Sequence, residues 1–214
     1  MQKQEECRLG RTELQVSRLV FGSLPLGPLQ ANLSPEAGGR LIRYAIESGV
    51  NVIDTAELYG TYQHIREGLK GVLCPVHVIS KTHAATAADA RQHVERALRE
   101  MDLSKLDVVH IHGARLADPF VERSDVLAEL KKLQREGLID FIGLSTHYIC
   151  AVRKAAEHPD IDVIHPLINR DGMGILDGSA EEMAAAIAYA GECDKGVYGM
   201  KALAGGNLIK QERD

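Results

Sequence analysis

The sequence predicts an α/β protein: a (β/α)8 TIM-type barrel behind an N-terminal β-hairpin, C-terminally incomplete, with about seven strands present. Three observations carry this. Short apolar runs recur about every 20 to 35 residues, with one helical pattern in each gap, and strict alternation of strand and helix builds a parallel sheet clad in helices. The runs lack polar alternation, which means burial on both faces. Their ends fall near residues 22, 54, 80, 112, 145, 166 and 201, a spacing that favours a closed ring over an open doubly wound sheet. A barrel ordinarily takes about 250 residues, so 214 residues leave the final β/α unit out of a single domain spanning 1–214.

In order, residues 7–18 alternate around Gly10 and read as the hairpin. Leu19 to Gly22 is the first parallel strand, and a loop rich in Pro and Gly follows. Ser34-Pro35 opens a helix with an N-cap and a first-turn proline, and Gly49 closes it. Val50 to Asp54 is the second strand, and His64 to Leu73 the next helix. Val76 to Ser80 is the third strand, with Lys81 directly after it. Thr86 and Asp89 cap a helix whose stripe is Ala90, Val94, Ala97, Leu98 and Met101. Asp107 to Ile111, ending at His112-Gly113, is the fourth strand, and a helix spans about Val121 to Arg135. Phe141 to Leu144 leads into Ser145-Thr146-His147, then a helix from Ile149 to Glu157. Asp162 to His165 is the sixth strand, Ser179 and Glu182 form a capping box, and Gly196 to Lys201 is the seventh strand, followed by Gly205-Gly206.

Composition excludes several classes. Net charge is −5, no basic stripe appears and aromatics are 4%, so a surface built on phosphate contacts and base stacking is not expected. No signal-like or spanning apolar run is present, and Cys7, Cys74, Cys150 and Cys193 form no C-x-x-C or zinc spacing. A cytoplasmic location with reduced thiols is expected, with no membrane and no nucleic-acid partner. Oligomeric state is not legible.

In a barrel, side chains at the carboxyl ends of strands converge on one mouth. Three successive strand ends supply Asp54 and Tyr59, Lys81, and His112. A turn-capping Asp and a packed Tyr are the ordinary alternatives for the first two. Together the four make chemical sense. Lys81 and Asp54 can pair and so tolerate burial. A cation close to the Tyr59 hydroxyl is expected to lower its pKa from about 10, and His112 can orient the same substrate oxygen.

The motifs D-T-A-x-x-Y-G at Asp54 to Gly60, I-S-K at Ile79 to Lys81 and L-D-V-V-H-I-H at Leu106 to His112 resemble the aldo-keto reductases. So do L-G-R-T-x-L-x-V-S-R-L-V-F-G near the start and F-I-G-L-S. The resemblance implies an NADPH-dependent reductase (NAD not excluded) acting on a small carbonyl substrate, with Tyr59 as acid, Asp54 and Lys81 as its tuners and His112 as the orienting group. It further implies cofactor contacts at the positions of Ser145, Thr146, Asn169 and Met200; Gly22, Lys201, Gly205 and Gly206 are further cofactor candidates by residue type, a cation and glycines able to cradle phosphate. The chain departs from the family pattern at Thr146-His147, at His165 and at Met200. G-M-K-A-L-A-G-G is similar to a bacterial subgroup that often carries a C-terminal iron–sulfur domain, for which no cysteine cluster stands in this sequence.

Alternatives remain at this point. Ser145 as a helix cap, Asn169 and Gly22 as turn residues, Lys201 as a surface cation and Gly205-Gly206 as a plain loop compete with cofactor roles. His147 and His165 read as hydrogen-bonded structural groups. A non-catalytic nicotinamide-binding or regulatory barrel is one rival function. A metal-dependent hydrolase using His110 and His112 is the other, although no further ligand set is evident and no metal is expected. The short length fits a fragment, a remainder supplied by another chain, or an incomplete barrel.

Overall fold

The structure, a computed structural model, describes residues 5–211. An antiparallel hairpin, β1 (Glu6–Arg8) and β2 (Gln15–Ser17), precedes the main sheet. Seven strands then pair in parallel and in sequence order: β3 (Phe21–Gly22), β4 (Val52–Asp54), β5 (His77–Thr82), β6 (Leu106–Gly113), β7 (Ile139–Thr146), β8 (Val163–Pro166) and β9 (Gly196–Val197). The main intervening helices are α1 (Pro35–Glu47), α2 (Tyr62–Leu69), α3 (Ala87–Met101), α4 (Pro119–Glu122), α5 (Ser124–Arg135), α6 (Ile149–Glu157) and α7 (Ala180–Glu192), and α8 (Asn207–Gln211) follows β9. Among the described residues β3 and β9 are not paired with each other, so the ring has an open seam. A cavity of about 990 Å³ occupies it.

The predicted caps form as expected. The Ser34 side chain accepts from the Ala37 N–H with Pro35 in the first turn, and Thr86 accepts from the Asp89 N–H. Ser179 and Glu182 make the reciprocal box. Several strand ends shift by one or two residues, and four larger differences from the sequence reading bear on the fold. Helix α2 starts two residues early and stops at Leu69, because Lys70 leaves helical geometry (ψ 118°). Lys81 lies inside β5, where it pairs with His110, rather than after it. The helix expected from Val121 is broken at Arg123 (φ −132°) into α4 and α5. The seventh parallel strand shrinks to two residues plus a bridge between Leu167 and Met200, since Lys201 turns the chain aside at φ +59°.

Two apolar clusters hold this together. The larger lies between sheet and helices and includes Ile53, Val78, Val109, Ile111 and Ile164. The smaller joins Val52, Ile79, Val108 and Val163 to Leu9, Leu14 and Val16 of the hairpin, which packs against the inner face.

Candidate active site

Side chains alternate between the two faces of a strand. Because Val52, Ile79, Val108 and Val163 share the inner cluster, the residues two further along share the inner face: Asp54, Lys81, His110 and His165, with His112 one step beyond His110. The barrel interior is therefore apolar at the hairpin end and polar toward the carboxyl ends of the strands.

Lys81 is the largest of the almost fully buried side chains. Its Nζ donates to Asp54 Oδ1 at 2.5 Å and to the Thr55 carbonyl at 2.8 Å. Burial works against both charges. Asp54 nevertheless stays below the ordinary carboxylate value, because Lys81, His165 and the bonds from Lys81 and Tyr198 together outweigh desolvation. Burial draws Lys81 below its ordinary value although Asp54 resists.

Tyr59 ends a 3-10 turn, Glu57–Tyr59, followed by Gly60 at φ +64°, a region that glycine enters without strain. The turn is tied down at Glu57, which pairs with Arg96 and with His83, each at 2.7 Å. Lys81 Nζ then lies 5.1 Å from the centroid of the Tyr59 ring. The His112 ring meets Tyr59 edge-on, 6.2 Å between centroids at 83°. Thus the four predicted groups gather at one mouth. The expected depression of the Tyr59 pKa is corrected: burial, and then the Asp54 carboxylate, raise it. Lys81 spends its protons on Asp54 and Thr55 instead of the phenol. Tyr59 is accordingly a protonated acid at neutral pH. His112 is pushed down to about 4, by burial first and Lys81 second, and is neutral there.

Sequence reasoning missed Tyr198. Its hydroxyl donates to Asp54 Oδ2 at 2.8 Å and lies 2.8 Å from His110 Nε2. Its carbonyl accepts from His165 Nδ1 at 2.9 Å, and its ring stacks on His165 at 4.1 Å. Burial and Asp54 hold the Tyr198 phenol well above its ordinary value. The available signal was parity, since Tyr198 stands two residues after Gly196 as His165 stands two after Val163. The same contacts weigh against a metal at His110 and His112: one His110 nitrogen is engaged by Tyr198 and the other is buried against Gly143.

The proposed cofactor residues divide. Ser145 is buried at the end of β7, where its backbone pairs with β6 and β8; its hydroxyl makes no hydrogen bond to the described residues and does not cap α6. Gly22, paired with Asp54 across β3 and β4, has nothing within 4 Å of a Cβ position. Thr146 Oγ1 instead accepts from the Tyr148 N–H, and both ends of the Asn169 amide bond to Met173, closing a loop. Met200 bonds β8 through its backbone at Pro166 and Ile168. Lys201, Gly205 and Gly206 line the seam cavity, which Tyr198 also lines and which Asp54, Tyr59, Lys81 and His112 do not. Lys201 Nζ is 3.2 Å from His147 Nε2.

Known proteins resemble this chain in sequence and in fold. The chain is 28% identical over 157 residues to L-galactose dehydrogenase of Arabidopsis thaliana, and 30% identical over 169 residues to an aldo-keto reductase of Glycine max. These matches cover 68% and 72% of this chain, which spans about half (49%) of each relative's length. A Pseudomonas aeruginosa structure assigned to the aldo-keto reductases superposes with a TM-score of 0.80 at 27% identity, covering 94% of this chain and 80% of that one. A Bombyx mori aldo-keto reductase solved with NADP shares the fold at 16% identity and a TM-score of 0.71, covering 92% of this chain and 66% of that one. The sequence model of the Aldo/keto reductase family matches residues 18–214, and the chain belongs to that family.

Proposed function

We propose that the chain carries the proton-donating site of a nicotinamide-dependent reductase acting on an aldehyde or ketone. The observation that supports this reading is the convergence of Asp54, Lys81, Tyr59 and His112 at the carboxyl ends of β4, β5 and β6. A nicotinamide cofactor, when bound, supplies the reducing equivalent to the carbonyl carbon. The residues fit such a group. Ser145 offers a hydroxyl beside the mouth, Gly22 leaves space, and at the seam Lys201 offers a cation to phosphate while Gly205 and Gly206 leave room for close approach.

Tyr59 holds the proton that the carbonyl oxygen needs as charge develops on it. Its raised pKa keeps that proton in place throughout the neutral range. Neutral His112 can donate one N–H to the same oxygen and fix its direction, without competing as an acid. Lys81, seated over the Tyr59 ring, stabilises the phenolate left behind. Asp54 keeps Lys81 charged and in place.

The test is Tyr59→Phe, followed as NADPH oxidation with a simple aromatic aldehyde. Loss of a general acid predicts a fall in kcat of about 10²- to 10⁴-fold. NADPH fluorescence quenching on binding should persist. Turnover retained in Tyr59→Phe sinks the assignment of the acid.

A further inference from the structure

Asp54 is gripped from two sides. Lys81 bonds Oδ1 from β5, and Tyr198 bonds Oδ2 from just past the end of β9, the strand at the open seam. A carboxylate can only accept, so the Tyr198 hydroxyl donates to it. The Tyr198 oxygen then accepts from His110 Nε2–H. That assigns the tautomer of His110 and leaves its Nδ1 as a bare lone pair. Nδ1 is buried without a partner, against the α-carbon of Gly143, where a Cβ would stand 2.2 Å away. The chain thus runs His110 to Tyr198 to Asp54 with each donor aimed toward the carboxylate. It ends at a nitrogen that touches no acceptor, donor or solvent, so it cannot pass protons out of the site. Orientation and charge stabilisation are what it can supply.

We propose that Tyr198, backed by His110, is a positioning residue: it fixes the Asp54 carboxylate, and through it the Lys81 ammonium beside the Tyr59 ring. The kinetic consequence rests on the reductase reading; the effect on Asp54 itself does not. Asp54 is faced by Lys81 from β5, His112 from β6, His165 from β8, Tyr198 from the segment just after β9 and Tyr59 from its own loop. Of these only Lys81 is charged at neutral pH, so the Tyr198 hydroxyl is the other main support of the carboxylate.

Tyr198→Phe keeps the ring and its stack on His165 and deletes the hydroxyl. Carbonyl reduction should lose roughly ten- to a hundredfold in kcat, the scale of one hydrogen bond to a charged group, with little change in KM for NADPH. With ¹³C-carboxyl aspartate labelling, assigned by Asp54→Asn, the Asp54 resonance should titrate at higher pH in Tyr198→Phe than in the parent. His110→Gln retains an N–H for Tyr198 and should behave nearly as the parent, whereas His110→Leu should move toward Tyr198→Phe in both readouts. A purely space-filling role makes the two His110 variants alike, and that result overturns the proposal. So does an unchanged Asp54 titration in Tyr198→Phe. If the parent reduces no carbonyl, the reductase reading falls, and the Asp54 titration still decides this one. If Tyr198→Phe does not fold, the His110 pair decides.

Discussion

Acidification from pH 7 to pH 5 should destabilise the fold through histidines buried in the barrel, and His165 is where the effect can be isolated. In an unfolded chain its imidazole titrates near 6.5. In the structure burial, the first cause, and the Lys81 charge hold it down to about 4, although Asp54 opposes them. The folded value is depressed for a base, so between these two values the unfolded chain binds a proton that the folded chain refuses. Stability therefore falls as pH falls through this window. The linkage amounts to about 2 kcal/mol between pH 7 and pH 5 for this one residue. His110, held further down by burial, acts in the same direction. His77, raised by the bond it donates to the Asp107 carboxylate, acts in the opposite one. Asp54, whose value is lowered, stays ionised in both states across this range, and its contribution is lost only at lower pH. The substitution His165→Asn removes the titration and keeps a donor for the Tyr198 carbonyl. Urea unfolding at pH 7, 6 and 5 should show the parent losing about 2 kcal/mol more than His165→Asn over the interval. Parallel curves for the two proteins would refute the reasoning.

Three other outcomes follow from the same geometry. Gly143→Ala drives a methyl into His110 Nδ1 and toward the Val163 carbonyl, 2.6 Å away, and should cost about 3 kcal/mol in urea melts; a neutral substitution contradicts the packing. Lys81→Met leaves the Asp54 carboxylate buried without its cation and should cost about 3 to 5 kcal/mol, together with turnover, as seen by calorimetry and aldehyde reduction. Because burial and Asp54 keep Tyr59 protonated, kcat for reduction should stay flat from about pH 6 to 9; a descending limb centred near neutrality would mean that the acid is another group.

Much of the fold was written in local signals. Ser34-Pro35, Thr86 with Asp89, and Ser179 with Glu182 fix helix starts by chemistry confined to four residues, and all three appear where expected. The grouping of Asp54, Lys81 and His112 was legible because each stands at or near the end of an apolar run, so position along one strand announced position at the mouth, and Tyr59 follows Asp54 closely enough to share it. What escaped were facts about faces and distances between strands. Lys81 was expected beyond its strand, but β5 continues through it in its ladder with β6, and its Nζ reaches Asp54 and Thr55 at the end of the neighbouring strand. Burial and the Asp54 carboxylate, neither visible in one sequence, reversed the expected shift of Tyr59. Tyr198 was invisible because its partners, Asp54 and His110, lie 144 and 88 residues away. Thr146 and Asn169 carry residue types that suit a ligand, and whether such a side chain turns to its own backbone is decided by loop geometry that the sequence does not spell out.

The placement of these groups also separates chemistry from binding. Asp54, Lys81 and His112 stand on β4, β5 and β6, strands paired on both sides within the sheet. Tyr59 hangs on a turn pinned by Arg96 and His83. None of the four depends on the seam between β3 and β9 for its main contacts, except through the one bond from Tyr198 to Asp54. Lys201, Gly205 and Gly206, by contrast, line the seam cavity itself. Whatever occupies that seam should therefore govern how tightly a phosphate-bearing cofactor is held, while leaving the proton-donating geometry nearly unchanged. Tyr198 is the point where the two meet, since it lines the cavity with its ring and holds Asp54 with its hydroxyl. A perturbation at the seam that reaches catalysis should do so by way of that hydroxyl.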